Sequence, residues 1–245
     1  EISMIFQEPM TSLSPVFNIE KQLTDGLKRH TKLTGPELRA QALALLREVQ
    51  IPEPEARLKQ YPHELSGGMR QRIVIAIAMA CAPRLLIADE PTTALDVTIQ
   101  AEILALINRL KSDHNMGVLF ITHDMAVVAQ MADRVLVMHQ GKIVEEGSVD
   151  DIFYRPKQEY TKKLLAAVPK LGAMTGTKYP KPLDVSSKTN KQINNKMAER
   201  ANNKNILELK NLVTRFPIYG GVLKRKVANV HAVENVSFSI NEGET

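Results

Sequence analysis

The feature that most restricts the fold is the run Leu85-Leu86-Ile87-Ala88, followed at once by Asp89-Glu90-Pro91. Four apolar residues without alternation describe a buried strand, the pattern of a parallel strand inside an α/β sheet. Two acids at the carboxyl end of such a strand stand where open α/β sheets bind their ligands. The flanking sequence agrees. Asp96 caps a helix over Val97 to about Lys111, with Ile99, Ile103, Leu106, Ile107 and Leu110 on one face. Val118 to Thr122 is the next strand, ending at His123, and Asp124 caps a further helix through Ala132. Val135–Met138 and Lys142–Glu145 flank Gln140-Gly141, a hairpin signal. Strands alternating with helices predict an α/β body with a mostly parallel sheet.

The stretch from Ile19 to Tyr61 has another character. It is Leu-rich and punctuated by Gly35-Pro36, Pro52 and Pro54, and it predicts a helical insertion at about residues 19–64. Residues 178–205 hold seven basic side chains, six Asn and only two acids, a linker composition. Ile206-Leu207-Glu208-Leu209 and Val236-Ser237-Phe238-Ser239-Ile240 regain strand alternation, but so short a segment seldom buries a core alone. The expected organisation is therefore 1–177, 178–205 and 206–245. The formal net charge of +5 resides in the linker, since the flanking parts carry −1 and +1. A basic excess so placed gives little support to a nucleic-acid partner, and none is expected.

Other classes fall away. The single Cys81 excludes a disulfide scaffold or a Cys-rich zinc site. The longest strongly apolar stretch, Ile73 to Pro83, has 11 residues, where a membrane span needs ~20. Glu1-Ile2-Ser3-Met4 carries no basic n-region or cleavage site, so a soluble protein of a reducing compartment is expected.

Four short constellations carry chemistry. Leu65-Ser66-Gly67-Gly68-Met69 opens the apolar helix Ile73 to Cys81. Ser66 at its N-cap and two glycines leave helix N–H groups uncovered, where the helix dipole favours an anion. The glycines also remove side chains that would hold a phosphate off the backbone. Asp89 can hold Mg²⁺ through water, and Glu90 can orient or deprotonate an attacking water. His123, again at a strand end, can bond a γ-phosphate or position that water. Gln7, in Ile5-Phe6-Gln7-Glu8-Pro9, has an amide able to reach a metal or water. Each has a plain structural alternative when taken alone: a capped helix, a solvated turn, a core histidine, a surface glutamine.

Their order carries more than any one of them. Gln7 resembles the Q-loop of ATP-binding-cassette (ABC) ATPases, Leu65 to Met69 their signature motif, and Leu85 to Glu90 their Walker B strand. Ala94-Leu95-Asp96 is similar to the D-loop and His123 to the H-loop, all five in the family's order. Phe6 to Leu13, Pro91 to Gln100 and Tyr160 to Leu165 look like the di- and oligopeptide importer subfamily, although Gln158-Glu159 replaces its usual His-Pro. Val168 to Met174, Asn211 to Pro217 and His231 to Phe238 resemble a subfamily member with two cassettes in one chain.

The resemblance implies an α/β, ABC-type P-loop NTPase cassette with a small helical subdomain, then a linker and the first strands of a second cassette. It implies ATP and Mg²⁺ as cofactors, with Glu90 as general base, Asp89 and Gln7 on Mg²⁺, and His123 on the γ-phosphate and water. Leu65, Ser66, Gly67, Gly68 and Met69 would close over ATP held by a second cassette, and Asp96 would tie the halves together. Implied partners are two membrane-spanning permease subunits, a periplasmic or extracellular solute-binding protein and a second cassette, in the same chain or as a homodimer. The implied place is the cytoplasmic face of the bacterial inner membrane, and the implied work is import of short peptides, glutathione among them. The Gly-x-x-x-x-Gly-Lys-Ser/Thr loop that cradles phosphates occurs nowhere in the sequence. The expectation is an interior piece whose two P-loops lie beyond Glu1 and Thr245, inactive by itself. Importers of dipeptides, oligopeptides or nickel, a non-transport ABC ATPase and a non-catalytic interaction module are the competing readings.

Overall fold

Three strands run parallel in the order β1 (Ile2–Ile5), β2 (Leu85–Asp89), β3 (Gly117–Ile121). Ile2 pairs with Leu85 and Leu85 with Gly117, while Asp89 at the far end pairs with Ile121. Level pairing of this kind ends all three strands side by side, so the residues after each end are neighbours. The computed structural model describes residues 1–8, 12–168, 205–220 and 225–242. They divide into two compact units, Glu1–Val168 and Pro169–Thr245. The expected boundary at 177 and almost all of the expected linker 178–205 lie outside the described residues.

One face of this sheet is packed. Ile5, Leu86 and Ala88 are fully buried, with Val118 and Phe120 partly buried against the same core. On the opposite face Ile2, Met4, Leu119 and Ile121 are exposed, and Leu85 and Ile87 are only half-buried. The full burial expected for 85–88 is thus met on alternate residues, because among the described residues nothing covers the second face.

The packed face lies on α4 (Gly67–Met79) and α5 (Val97–Asp113). Helix α4 buries Ile73, Val74, Ile75, Ala76, Ala78 and Met79, so it is apolar almost all round, as a helix enclosed on several sides must be. It touches β1, α5 and, beyond them, α1 (Ile19–His30) and α2 (Gly35–Glu48) of the helical insertion. It ends at Met79 rather than Cys81: Ala82 turns to φ 45° and Pro83 follows, leaving Cys81 exposed. Burying a residue such as Leu23, Leu46, Ile73 or Ile107 contributes about 1.5–3 kcal/mol each.

The insertion is helical as expected. Asn18 caps α1 by accepting from Lys21 N. Gly35-Pro36, read as punctuation, opens α2: Thr34 and Glu37 form a capping box and the proline occupies the first turn. A single turn, α3 (Pro54–Arg57), and a 3₁₀ turn at Pro62–Glu64 return the chain to α4. After β3, Asp124 caps α6 (Met125–Met131). β4 (Arg134–His139) and β5 (Lys142–Ser148) then form the expected antiparallel hairpin. Gln140 and Gly141 both have positive φ, as a two-residue hairpin turn demands. Helices α7 (Val149–Tyr154) and α8 (Glu159–Ala166) pack on the hairpin through Ile152, Val149, Tyr160 and Leu164. In the second unit β6 (Asn205–Gly220) and β7 (Arg225–Asn241) pair antiparallel over most of their length.

Candidate functional site

The turn after β2 aims one carboxylate. Glu90 has φ 44°, a left-handed conformation that a non-glycine residue adopts at a cost. Its N–H donates to Ile121 O at the end of β3 (2.9 Å), and its own carbonyl accepts from Thr93 N (3.1 Å). Pro91 follows Glu90 and both Pro91 and Thr92 are buried, so Glu90-Pro91-Thr92-Thr93 is a closed, anchored turn. The half-exposed ends of the neighbouring strands then reach the Glu90 side chain. Gln7 Nε2 donates to Glu90 Oε2 at 3.0 Å, Thr93 Oγ1 donates to the same oxygen at 2.9 Å, and His123 Nδ1 faces Oε1 at 2.8 Å.

A carboxylate accepts only, so the short His123 contact puts a proton on Nδ1 and leaves Nε2 outward on a largely exposed ring. The bond from His123 and then that from Thr93 hold the Glu90 carboxyl below the ordinary glutamate range; partial burial acts against them and Gln7 adds to the lowering. Gln7, Glu90 and His123, far apart in sequence, are therefore brought together. Thr93 is the member that sequence reading missed. Its signal was the hydroxyl three residues beyond Glu90 across a proline turn.

Asp89, the last residue of β2, is half-buried beside this cluster in sequence. Among the described residues no group of three or more His, Cys, Asp or Glu side chains forms a metal cage. One carboxylate and one amide oxygen, from Asp89 and Gln7, do suit Mg²⁺, which keeps several waters and takes one or two carboxylates beside substrate phosphates.

The second constellation is a helix start. Ser66 is the N-cap of α4 and accepts from Met69 N at 3.3 Å. Leu65 is buried just before it, and Met69 packs against the core. The N–H groups of Gly67 and Gly68 lie in the first turn, where no intrahelical acceptor exists. A Cβ on Gly67 would meet only Leu95 Cδ2 at 3.8 Å, but one on Gly68 would stand 2.7 Å from Ile99 Cγ2. Gly68 is thus required by the close approach of α5, a packing reason that adds to the expected phosphate one. Asp96 caps α5, accepting from Ile99 N at 3.0 Å, and so fixes the residue that abuts Gly68. Phe216, weighed as an adenine-stacking aromatic, is exposed on β6. The side chain of Tyr219, weighed with it, lies outside the described residues.

Comparison with known proteins agrees with this geometry. Residues 1–93 match the ABC transporter family. The whole chain is 52% identical to the glutathione import ATP-binding protein GsiA of Escherichia coli strain K12 and to that of Salmonella choleraesuis strain SC-B67. In both cases the chain spans 40% of the relative's length. Among solved structures it is similar to the ATP-binding cassette MJ0796, a post-hydrolysis dimer bound to ADP and Pi, at 28% identity and TM-score 0.54, covering 61% of this chain and 63% of that one. It is also similar to cbiO1 from Clostridium perfringens, part of the ABC transporter complex cbiONQ, at 28% identity and TM-score 0.55, covering 63% of this chain and 59% of that one. Residues 1–93 thus carry the sequence pattern of the ABC transporter family, and over its whole length the chain is similar to ATP-binding import proteins.

Proposed function

We propose that the full-length protein hydrolyses ATP to drive import of glutathione or a closely related short peptide through a membrane ABC transporter. The observation that carries this is the convergence of Gln7, Thr93 and His123 on the Glu90 carboxylate at the level ends of three parallel strands. Glu90 is the general base for the water that attacks the γ-phosphate. Both its oxygens are engaged in this state, so it becomes available as Gln7 and His123 turn to the nucleotide. His123 would then contact the γ-phosphate and the water, and Asp89 with Gln7 Oε1 would hold Mg²⁺, which when bound supplies neutralisation of phosphate charge. The α4 start, with Leu65, Ser66, Gly67, Gly68 and Met69, presents its N–H groups to ATP bound by a second cassette, and Asp96 lies at that junction. The helical insertion meets two permease subunits at the cytoplasmic face of the membrane, with a solute-binding protein on the other side. No helix of the described residues is long and apolar enough to cross a membrane.

The test is Glu90→Gln in the full-length protein. ATP turnover should fall by at least ~100-fold, the scale of a lost general base, with ATP binding retained. A variant hydrolysing at the normal rate removes Glu90 from this role. Uptake assays with the cognate permease and binding protein, comparing glutathione with dipeptides and nickel, decide the solute.

A further inference from the structure

Three donors reach the Glu90 carboxylate, and they differ in where they are mounted. Gln7 follows β1 and His123 follows β3, each on a segment of its own; Thr93 stands on Glu90's own turn. Thr93 grips that residue twice. Its N–H donates to the Glu90 carbonyl at 3.1 Å and its hydroxyl donates to Oε2 at 2.9 Å. The turn is anchored in turn by Glu90 N–H on Ile121 O, by buried Pro91 and Thr92, and by Leu95 N–H on Thr92 O at 3.3 Å. A glutamate side chain has several freely rotating bonds, and holding it in one rotamer costs entropy that a local hydrogen bond can offset. When Gln7 and His123 serve the nucleotide, the Thr93 hydroxyl is the donor left on the carboxylate.

We infer that Thr93 is a positioning residue whose hydroxyl fixes the Glu90 carboxylate in line with the attacking water throughout the hydrolytic cycle. This rests on the reading of Glu90 as the base. Thr93 touches neither nucleotide nor water; it acts through Oε2. A base displaced by about an ångström loses rate in the chemical step without loss of substrate affinity.

The experiment uses the full-length protein and measures kcat, KM for ATP, MgATP affinity and melting temperature for wild type, Thr93→Val, Thr93→Ser, Glu90→Gln and the double variant. Valine keeps the branched shape and the N–H but has no hydroxyl. Thr93→Val should lose about ten- to a hundredfold in kcat, with KM and MgATP affinity unchanged. Thr93→Ser should recover most of that rate, and Thr93→Val should cost nothing further in the Glu90→Gln background. Normal kcat in Thr93→Val, equal loss in Thr93→Ser, or additive loss in the double variant overturns the inference. Should valine depress the melting temperature, Thr93→Ala against Thr93→Ser reads the same hydroxyl. If Glu90→Gln is inactive while Thr93→Val is normal, only the positioning role falls. If Glu90→Gln is fully active, the reading of Glu90 falls and takes Thr93 with it.

Discussion

The Glu90 cluster and the start of α4 are built on opposite plans. At Glu90 the chain supplies every partner: three side chains from three segments satisfy both carboxylate oxygens. At α4 it supplies one, the Ser66 oxygen to Met69 N, and leaves the first-turn N–H groups of Gly67 and Gly68 to something else. A cluster satisfied internally is pre-organised by the register of its strands. A helix start left open meets solvent or a ligand through its first-turn N–H groups, as helix N-termini generally do. The first is closed by the chain's own side chains, and the second is left open.

The sharpest way to break this comparison is His123→Ala, which removes the shortest contact on the Glu90 carboxylate, at 2.8 Å, together with the proposed phosphate contact. ATP turnover in the full-length protein should drop by about 100-fold, as for a lost proton-transfer or orienting group. A turnover near wild type would show that the closed cluster is a resting ornament of the fold. Next in size is Gly68→Ala. Its Cβ would collide with the stiff Ile99 Cγ2, costing about 1–3 kcal/mol as overpacking does, less the helix-propensity gain over glycine. Denaturant melts should show the loss and Ile99→Ala in the same chain should reduce it; additive losses would separate Gly68 from α5.

Asp96→Ala should cost ~1 kcal/mol for a lost N-cap. Ser66→Ala, whose bond is longer at 3.3 Å against 3.0 Å, should cost less. The reverse ranking would mean that the α4 start is more closed than its geometry indicates. The smallest effect is a control on a carboxylate with only structural partners. Glu145 accepts from Lys157 N at 2.7 Å and Gln158 N at 3.1 Å. The adjacent Thr161 side chain, though not within hydrogen-bond geometry, and then the Lys157 N–H lower its carboxyl below the ordinary range. With its folded value lowered, Glu145 stabilises the docking of α8 fully above the unfolded value of about 4.3 and loses that contribution as pH falls through the lower folded value. Amide protection factors at Lys157 and Gln158, taken relative to intrinsic exchange at each pH, should fall in that acid window and stay flat there in Glu145→Gln.

Much of this was legible in the sequence because it is local. Asp96 and Asp124 announce their helices, Gln140-Gly141 its turn, and the strand ends at Gln7, Glu90 and His123 follow from apolar runs that stop at polar residues. What was hidden depends on distance or on backbone hand. Gly68 reads as a phosphate-facing glycine until α5 brings Ile99 against it. Thr93 reads as a turn residue until Glu90 adopts positive φ and swings its carboxylate back over the turn. Gly35-Pro36 reads as a break because its capping partner, Glu37, lies beyond it. The one-sided burial of β2 was illegible for another reason: an apolar run states what a strand can tolerate on each face, not what is there to cover it.

The grip on the end of α2 has a mechanical consequence. Arg72 Nη1 from α4 donates to Val49 O at 3.0 Å while its Nη2 pairs with Glu102 at 2.8 Å; Arg109 from α5 donates to Glu48 O, and His114 just beyond α5 pairs with the Glu48 carboxylate. Helix α5 has 17 residues, a rod of about 25 Å. It is tied to the end of α2 near its own C-terminus, directly through Arg109, and abuts Gly68 near its front. Gln100, one turn in, reaches Asp124 beside His123 at 3.1 Å. One stiff helix therefore holds the end of α2 at its far end and both the α4 start and the Asp124 turn at its near end, so the spacing of these three places is set by a single element.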